Sequence, residues 1–190
     1  MIVAITGGIG SGKSYVCRLL AQKGIEVYDC DAGAKRLMRT SRTLQRQLSS
    51  LVGTDLFPGG KLQKRLLAQF LLESKHNAHA VDEIVHPAVA SDFLSSGLEW
   101  VESAILFESH FDQRIRPDHI LGVTAPLETR VQRVMSRDGI TRQKALEWIG
   151  CQLPQEELRA RCDFEVVNDG HLPLQPQLDR VLKTICPAEK

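Results

Sequence analysis

The feature that most constrains this chain is the stretch "TGGIGSGKS", residues 6–14, which follows an apolar run and precedes a helical pattern. It meets the pattern G-x-x-x-x-G-K-[ST] through Gly7, Gly12, Lys13 and Ser14. Glycines allow positive φ angles and lack the Cβ atoms that block close approach, so successive backbone N–H groups converge on one anion. The N-terminus of the next helix adds unsatisfied N–H groups and a positive dipole end. The sequence therefore predicts a phosphate-binding loop.

The residue types in this loop predict a nucleoside triphosphate as its ligand. Lys13 is expected to reach the β- and γ-phosphates, and the Ser14 hydroxyl to bind Mg²⁺. A structural turn capped by Ser14 is the alternative, but such a turn does not require Lys13. Tyr15 is either a stacking surface for the base or a packed ring, and packing is favoured. The predicted ATP-binding residues in this stretch are Gly8, Gly10, Ser11, Gly12, Lys13, Ser14 and Tyr15.

Composition favours an ordinary globular protein. The chain has 190 residues, 43% of them hydrophobic and 25% charged, and a formal net charge of +1. No apolar run approaches membrane-spanning length, and the N-terminus lacks a basic, then apolar, leader, so a cytoplasmic location is expected. The five cysteines are odd in number and form no C-x-x-C pair, which predicts reduced thiols.

Alternating strand-like and helix-like segments predict an α/β fold with a mostly parallel sheet covered on both faces. The predicted strands are 2–6, 25–29, 100–108, 119–124 and 164–168. Residues 32–98 exceed what one crossover requires, so they are expected to form a helical substrate-binding insertion. Residues 136–161 are polar, rich in arginine and helical in pattern, which predicts a lid. The predicted core is therefore 1–31, 99–135 and 162–190 of a single domain.

Acidic residues follow two predicted strands. Asp29 and Asp31 follow the second strand, and Glu108 ends the third. In a parallel sheet, ligands lie beyond the carboxyl ends of the strands. Asp31 is predicted to orient and deprotonate an acceptor hydroxyl, and Asp29 or Asp31 to hold Mg²⁺ through water. The alternative for this pair is helix capping, since aspartate is a common N-cap.

Arginines cluster at two places in the sequence. The first cluster has no acid within it, and the second is relieved only by Asp138; solvated helix faces explain most such clusters. Arg137, at the start of the predicted lid, is the candidate for stabilising the transferring phosphoryl group, with Arg133 four residues earlier on the same helical face. The clusters are Lys35, Arg36, Arg39, Arg42 and Arg46, and then Arg130, Arg133, Arg137 and Arg142.

One acidic and histidine-rich stretch imitates a metal motif. His79, Asp82, Glu83 and His86 fall near one helical face, and Glu83-x-x-His86 has the spacing of a di-iron ligand pair. Only one copy exists, and Pro87 follows directly. The stretch is therefore interpreted as a helix that ends at His86-Pro87, with the imidazole supporting the substrate cavity.

In order and spacing, these motifs resemble the dephospho-CoA kinase family over nearly the whole chain. The resemblance implies a P-loop kinase fold, with a five-stranded parallel sheet flanked by helices, a helical substrate-binding insertion and a lid. It also implies transfer of the ATP γ-phosphoryl group to the ribose 3′-hydroxyl of dephospho-CoA, the last step of coenzyme A synthesis. The motifs are "TGGIGSGKS" (6–14), "DCD" (29–31) before "AGAKRL", "HP" (86–87), "LFE" (106–108), "RVQRVMSRD" (130–138), Gln152 and "RCDFEVVNDG" (161–170).

By this resemblance, Asp31 matches the catalytic carboxylate and Arg137 a lid arginine that contacts phosphate. Asn168 matches a position near the adenine, and Thr6 one close to the catalytic centre. The catalytic set is then Asp31, Lys13 and Arg137, and the substrate-binding set is Thr6, Asp31, His86 and Glu108. Departures from the family pattern are Tyr15, Cys30, "LQK" at 62–64 and the missing proline in "ESAILFE" at 102–108.

The expected partners are ATP and dephospho-CoA, with Mg²⁺ and without nucleic acid, a membrane or an obligate protein partner. The nearest rival is a P-loop kinase with another acceptor, such as a nucleoside monophosphate. A second rival, a nucleotide-driven switch or nucleic-acid ATPase, would use the basic stretch 35–46, which lacks interleaved aromatic residues. A third, an inactive binding module, is disfavoured by the intact Lys13, Ser14 and Asp31.

Overall fold

The fold is built on one five-stranded sheet, described from a computed structural model over residues 1–186. The last four residues of the predicted core segment 162–190 lie outside the described residues. The spatial order is β2-β3-β1-β4-β5 and the pairing is parallel, which confirms the predicted α/β class. The strands are β1 (Val3–Thr6), β2 (Val27–Asp29), β3 (Trp100–Glu102), β4 (His119–Thr124) and β5 (Phe164–Val167).

Helices connect the strands and build the insertion. Between β1 and β2 lies α1 (Lys13–Ala21), and between β2 and β3 lie α2 (Cys30–Thr40), α3 (Arg42–Val52), a 3₁₀ turn (Pro58–Gly60), α4 (Lys64–Glu73) and α5 (Lys75–Ser96). The later helices are α6 (Phe111–Ile115), α7 (Leu127–Asp138), α8 (Arg142–Gly150), α9 (Gln155–Ala160) and α10 (Leu174–Ile185). No helix within residues 1–186 is both long and apolar enough to cross a bilayer.

The central strand of the sheet, β1, is buried throughout and largely apolar. All four residues of β1 are buried, since a strand paired on both edges and covered on both faces meets no water. Ile5 packs in one core with Val16 and Leu20 of α1 and with Leu178 of α10. The register pairs Ile5 with Glu102 and Thr6 with Gly122, so the carboxyl ends of β3, β1 and β4 meet at one edge of the sheet.

The third strand is shorter than predicted. It ends at Glu102 rather than at residue 108, and residues 104–110 form turns in which the Ser109 N–H and hydroxyl both bond the Ile105 carbonyl. The apolar side chains that suggested a strand, Leu106 and Phe107, are buried from this turn instead. Short apolar runs do not distinguish the two conformations. Glu102, not Glu108, is therefore the acidic residue at the end of β3.

Residues 29–97 form a compact unit separate from the rest, against predicted insertion boundaries of 32 and 98. Within this unit α5 packs against α2, α3 and α4. The predicted helix end at His86-Pro87 is wrong, because α5 continues to Ser96 with Pro87 inside it. Val81, Val85 and Val89 form a buried stripe that runs past the proline, and its burial outweighs one lost backbone hydrogen bond.

Candidate active site

The loop between β1 and α1 has the backbone that an anion site requires. Gly10 and Gly12 have φ angles of 79° and 95°, which side-chain-bearing residues rarely adopt. A Cβ on Gly12 would also collide with the Nδ2 of Asn168. Gly12 is the N-cap of α1 and supplies no side-chain cap, so no side chain at that position competes with an anion for the start of the helix.

Lys13 is held against this loop rather than extended into solvent. Its Nζ donates to the Gly7 carbonyl over 2.6 Å and lies 3.8 Å from Glu102 Oε1, and the residue is 9% exposed. The ammonium group is thus fixed between the loop and the end of β3. Glu102 was not among the predicted site residues, because the third strand was predicted to run six residues further.

Asn168 and Arg133 join the far end of the sheet to the loop. The Asn168 Nδ2 donates to the Ser11 carbonyl over 2.8 Å, and its Oδ1 accepts from Arg133 over 3.2 Å. The Arg133 Nη1 also lies 3.3 Å from the carbonyls of Gly10 and Ser11. These bonds occupy the carbonyls of Gly10 and Ser11 and place a guanidinium beside the loop.

Arg130 is the second guanidinium at the loop, and the sequence analysis did not single it out. It is only 5% exposed, and its Nε donates to the Ile9 carbonyl over 2.9 Å. Burial lowers the pKa of this guanidinium from its usual value, and no carboxylate within residues 1–186 forms an ion pair with it. The interpretation of a solvated helix face is therefore wrong for Arg130, which lies one turn before Arg133 on α7.

Gln152 connects the predicted lid to the same loop. The Ile9 N–H donates to its Oε1 over 2.6 Å, and its Nε2 donates to the Ala104 carbonyl over 3.3 Å. The next residue, Leu153, donates its N–H to Glu108 Oε1 over 3.0 Å. Glu108 thus anchors the backbone of segment 136–161.

The other loop residues differ in exposure. Thr6 is completely buried, and neither its hydroxyl nor that of Ser11 has a hydrogen-bond partner within residues 1–186. Ser14 is exposed in the first turn of α1. Tyr15 is 46% exposed, with the Arg18 guanidinium 5.3 Å from its ring centroid, so the favoured interpretation as a packed ring is wrong.

In the unit 29–97, the two aspartates have different environments. Asp29 is the N-cap of α2 and its Oδ1 accepts from the Ala32 N–H over 2.9 Å, which matches the capping alternative for that residue. Asp31 lies exposed in the first turn of the same helix. His86 is half-buried on α5, with its Nε2 3.6 Å from Asp82 Oδ1.

Arg137 does not join Arg130 and Arg133 at the loop. It lies in the last turn of α7 with its side chain 61% exposed, and its guanidinium binds Asp138 over 2.8 Å. Arg133 and Arg130, one and two turns earlier, face the loop instead.

The Ser14 hydroxyl is the candidate cation ligand at the start of α1. Within residues 1–186, no three His, Cys, Asp or Glu side chains are arranged to hold a metal ion. All five cysteines are free thiols, as predicted. The exposed Ser14 hydroxyl at the start of α1 is the hard ligand type that Mg²⁺ prefers when phosphate oxygens complete its coordination. The residues present therefore fit Mg²⁺ bound together with a nucleotide.

Comparison with known proteins identifies the family. A family model described as dephospho-CoA kinase matches residues 1–173. A dephospho-CoA kinase from Bacteroides fragilis is 42% identical, over 93% of this chain and 88% of the relative. The crystal structure of TT1252 from Thermus thermophilus superposes with a TM-score of 0.78 at 34% identity, over 97% of this chain and 95% of that one.

A dephospho-CoA kinase structure from Campylobacter jejuni superposes with a TM-score of 0.63, over 97% of this chain and 94% of that one. At 19% identity, this match supports the fold alone. Together, the comparisons confirm the resemblance and the P-loop kinase fold predicted from the motifs.

Proposed function

The chain belongs to the dephospho-CoA kinase family, and we propose that it transfers the γ-phosphoryl group of ATP to the ribose 3′-hydroxyl of dephospho-CoA. The product is coenzyme A, so the reaction is the last step of its synthesis. The observation that carries this proposal is the loop Gly7–Ser14, whose uncapped helix start and buried Lys13 suit a triphosphate, in a chain with relatives of that name.

The loop and Lys13 hold the phosphates in this proposal. The N–H groups at the start of α1 supply partial positive charge without a movable side chain, and the Lys13 ammonium stabilises charge that develops on the β,γ-bridging oxygen. Because Lys13 is already fixed by Gly7 and Glu102, little reorganisation is required when ATP binds. Asn168 lies beside the adenine, and Tyr15 offers an exposed ring to the base.

Asp31 receives the proton of the acceptor hydroxyl. Its exposed position at the start of α2 leaves the carboxylate accessible to an alcohol. One carboxylate oxygen of Asp29, in contrast, already accepts a hydrogen bond as the N-cap of that helix. A correctly placed general base contributes about 10²- to 10⁴-fold to the rate. Thr6 lies at the catalytic centre. Binding of the acceptor by His86 and Glu108 remains a prediction.

Mg²⁺ is the proposed cofactor. Ser14 would bind the ion directly, with Asp29 or Asp31 bound through water. When bound, the ion neutralises phosphate charge and fixes the orientation of the γ-phosphoryl group.

Segment 136–161 acts as a lid, and Arg137 is its phosphate ligand. Since Arg137 is exposed and paired only with its neighbour Asp138 among the described residues, releasing that pair is inexpensive. Its guanidinium then stabilises the charge that spreads over the transferring group.

The test of this function is ADP release measured with dephospho-CoA, AMP or single-stranded DNA added in turn. We expect stimulation by dephospho-CoA alone, together with a product that carries one new phosphate monoester at the 3′ position in ³¹P spectra. Stimulation by AMP would instead indicate a nucleotide acceptor, and stimulation by DNA would indicate a nucleic-acid ATPase. Either result without turnover of dephospho-CoA would overturn the proposal.

A further inference from the structure

Both backbone polar groups of Ile9, at the tip of the phosphate-binding loop, are held by side chains from distant parts of the chain. Its N–H donates to Gln152 Oε1 over 2.6 Å, and its carbonyl accepts from Arg130 Nε over 2.9 Å. Ile9 lies between Gly8 and Gly10. Glycines have the largest conformational freedom in an unbound loop, so this tip needs partners from outside the loop to keep one conformation.

Gln152 lies in the turn between α8 and α9, inside segment 136–161. Its carboxamide makes two bonds of opposite sense, accepting from Ile9 and donating to the Ala104 carbonyl. Ala104 follows β3, two residues after Glu102. One side chain therefore connects the loop tip, the segment after β3 and the predicted lid.

We propose that Gln152 is a positioning residue of the nucleotide site, which acts through the Ile9 amide to keep the loop tip in the conformation that receives the phosphates. This inference rests on the proposed function for its substrate. A loop that is ordered before ATP arrives does not lose that conformational entropy on binding, so its affinity for ATP is higher. Gln152 touches no reacting atom in this scheme, and its contribution is the geometry of the loop.

If Gln152 has this role, its loss should weaken binding of ATP and leave binding of dephospho-CoA almost unchanged. Loss of one hydrogen bond to the loop weakens ATP binding by about 3- to 10-fold, the range expected for a typical bond of this kind. The two hydrogen bonds that the structure assigns to this carboxamide join Ile9 and Ala104, so the KM for dephospho-CoA should stay within about twofold. A residue that merely stabilised the fold would affect both substrates and the melting temperature together.

The test is Gln152→Met, which keeps the length of the side chain and removes both hydrogen-bonding groups. Gln143→Met is its matched control, because Gln143 is an exposed glutamine on α8 whose amide lies 3.4 Å from Glu147. Three quantities are measured on the full chain: ATP affinity by calorimetry without acceptor, KM for each substrate, and hydrogen exchange of the Ile9 amide by NMR. We expect Gln152→Met to weaken ATP binding as above and to accelerate Ile9 exchange about 10-fold, and Gln143→Met to change neither.

ATP affinity within twofold of the unaltered chain, or unchanged Ile9 exchange, would overturn the inference. So would parallel losses in both KM values and in the melting temperature. Calorimetry and exchange need no acceptor, so they test Gln152 even if dephospho-CoA is not phosphorylated. In that case the proposed function fails while the role of Gln152 is decided separately.

Discussion

The phosphate-binding loop and the unit 29–97 are organised in different ways. In the loop, side chains from elsewhere in the chain bind the backbone: Asn168, Arg130, Gln152 and Arg133 all bond loop carbonyls or amides. In the unit 29–97, helices pack through apolar side chains such as Leu44, Leu48 and Phe93, while the polar groups stay near the surface. Asp31 is exposed, and Arg42, Arg46 and Asp55 line an open cavity of about 850 Å³.

This difference suits two different tasks. Binding the same triphosphate in every cycle favours a site whose donors are fixed beforehand, since fixed dipoles need no reorganisation during the reaction. An acceptor that must enter and leave as coenzyme A favours a packed scaffold with accessible polar groups. The comparison predicts that substitutions at the loop change ATP binding or the chemistry, while those in residues 29–97 spare ATP binding.

The largest effect is expected from Lys13→Met. The variant removes the loop side chain that we propose to contact the transferring phosphate, so kcat should fall by about 10³-fold. Lys23→Met is the control, because Lys23 forms a surface ion pair with Asp179 over 2.6 Å in the same unit. Steady-state kinetics and thermal unfolding decide the outcome. If the Lys13 variant retained a tenth of the activity, the loop amides would be sufficient for phosphoryl transfer and the Lys13 side chain would have no essential role in it.

The next effect is expected from Asp31→Asn. The amide cannot accept the acceptor's proton, so turnover should fall about 10²-fold or more while ATP affinity stays within about twofold. Asp55→Asn is the charge-matched control in the same unit, since its retained oxygen still accepts the Phe57 N–H. Calorimetry with ATP and turnover with dephospho-CoA separate the two quantities. A large loss of ATP binding would move Asp31 to a metal-binding or structural role and weaken the contrast between the regions.

A smaller effect, of about 10-fold in ATP affinity, is expected from Asn168→Ala. The substitution leaves the Ser11 carbonyl and the Arg133 guanidinium each without one partner next to the loop. Asn77→Ala is the matched control, because the Asn77 Nδ2 donates to the Phe70 carbonyl over 3.0 Å within the unit 29–97. That variant should lower the melting temperature without changing ATP affinity. Equal losses of ATP affinity in both variants would contradict the prediction that substitutions in residues 29–97 spare ATP binding.

The sequence was sufficient for the loop and for the order of strands and helices. Residues 6–14 identify the loop because its backbone requires glycine at particular positions, and a motif records that local requirement. Apolar periodicity located all five strands, but it extended the third by six residues past Glu102, most of which form turns. Pro87 was interpreted as a helix end because its local effect was weighed without the buried stripe that continues beyond it.

The residues around the loop were harder to predict because they arrive through tertiary packing. Arg130 and Arg133 belong to one basic run, and nothing in that run distinguishes these two side chains, which contact the loop, from exposed Arg137. Periodicity does place Arg130, Arg133 and Arg137 near one face of a helix, so the direction of that face was the missing information. The contact of Glu102 with Lys13 could not be predicted without knowing where β3 ends. The contact of Gln152 with the loop is a single tertiary hydrogen bond to Ile9, which no sequence pattern indicates.

The smallest effect concerns Asp29, for which capping and metal binding predict different results. If capping is its whole contribution, Asp29→Ala should lower the free energy of unfolding by about 1 kcal/mol, while Asp29→Asn should restore it because the amide oxygen still accepts the Ala32 N–H. Both variants should then show the Mg²⁺ dependence of the unaltered chain. Denaturant unfolding and Mg²⁺ titration of turnover provide the two readouts. A several-fold higher Mg²⁺ requirement in Asp29→Asn, at restored stability, would assign the carboxylate to the ion and make this strand end part of the phosphate chemistry.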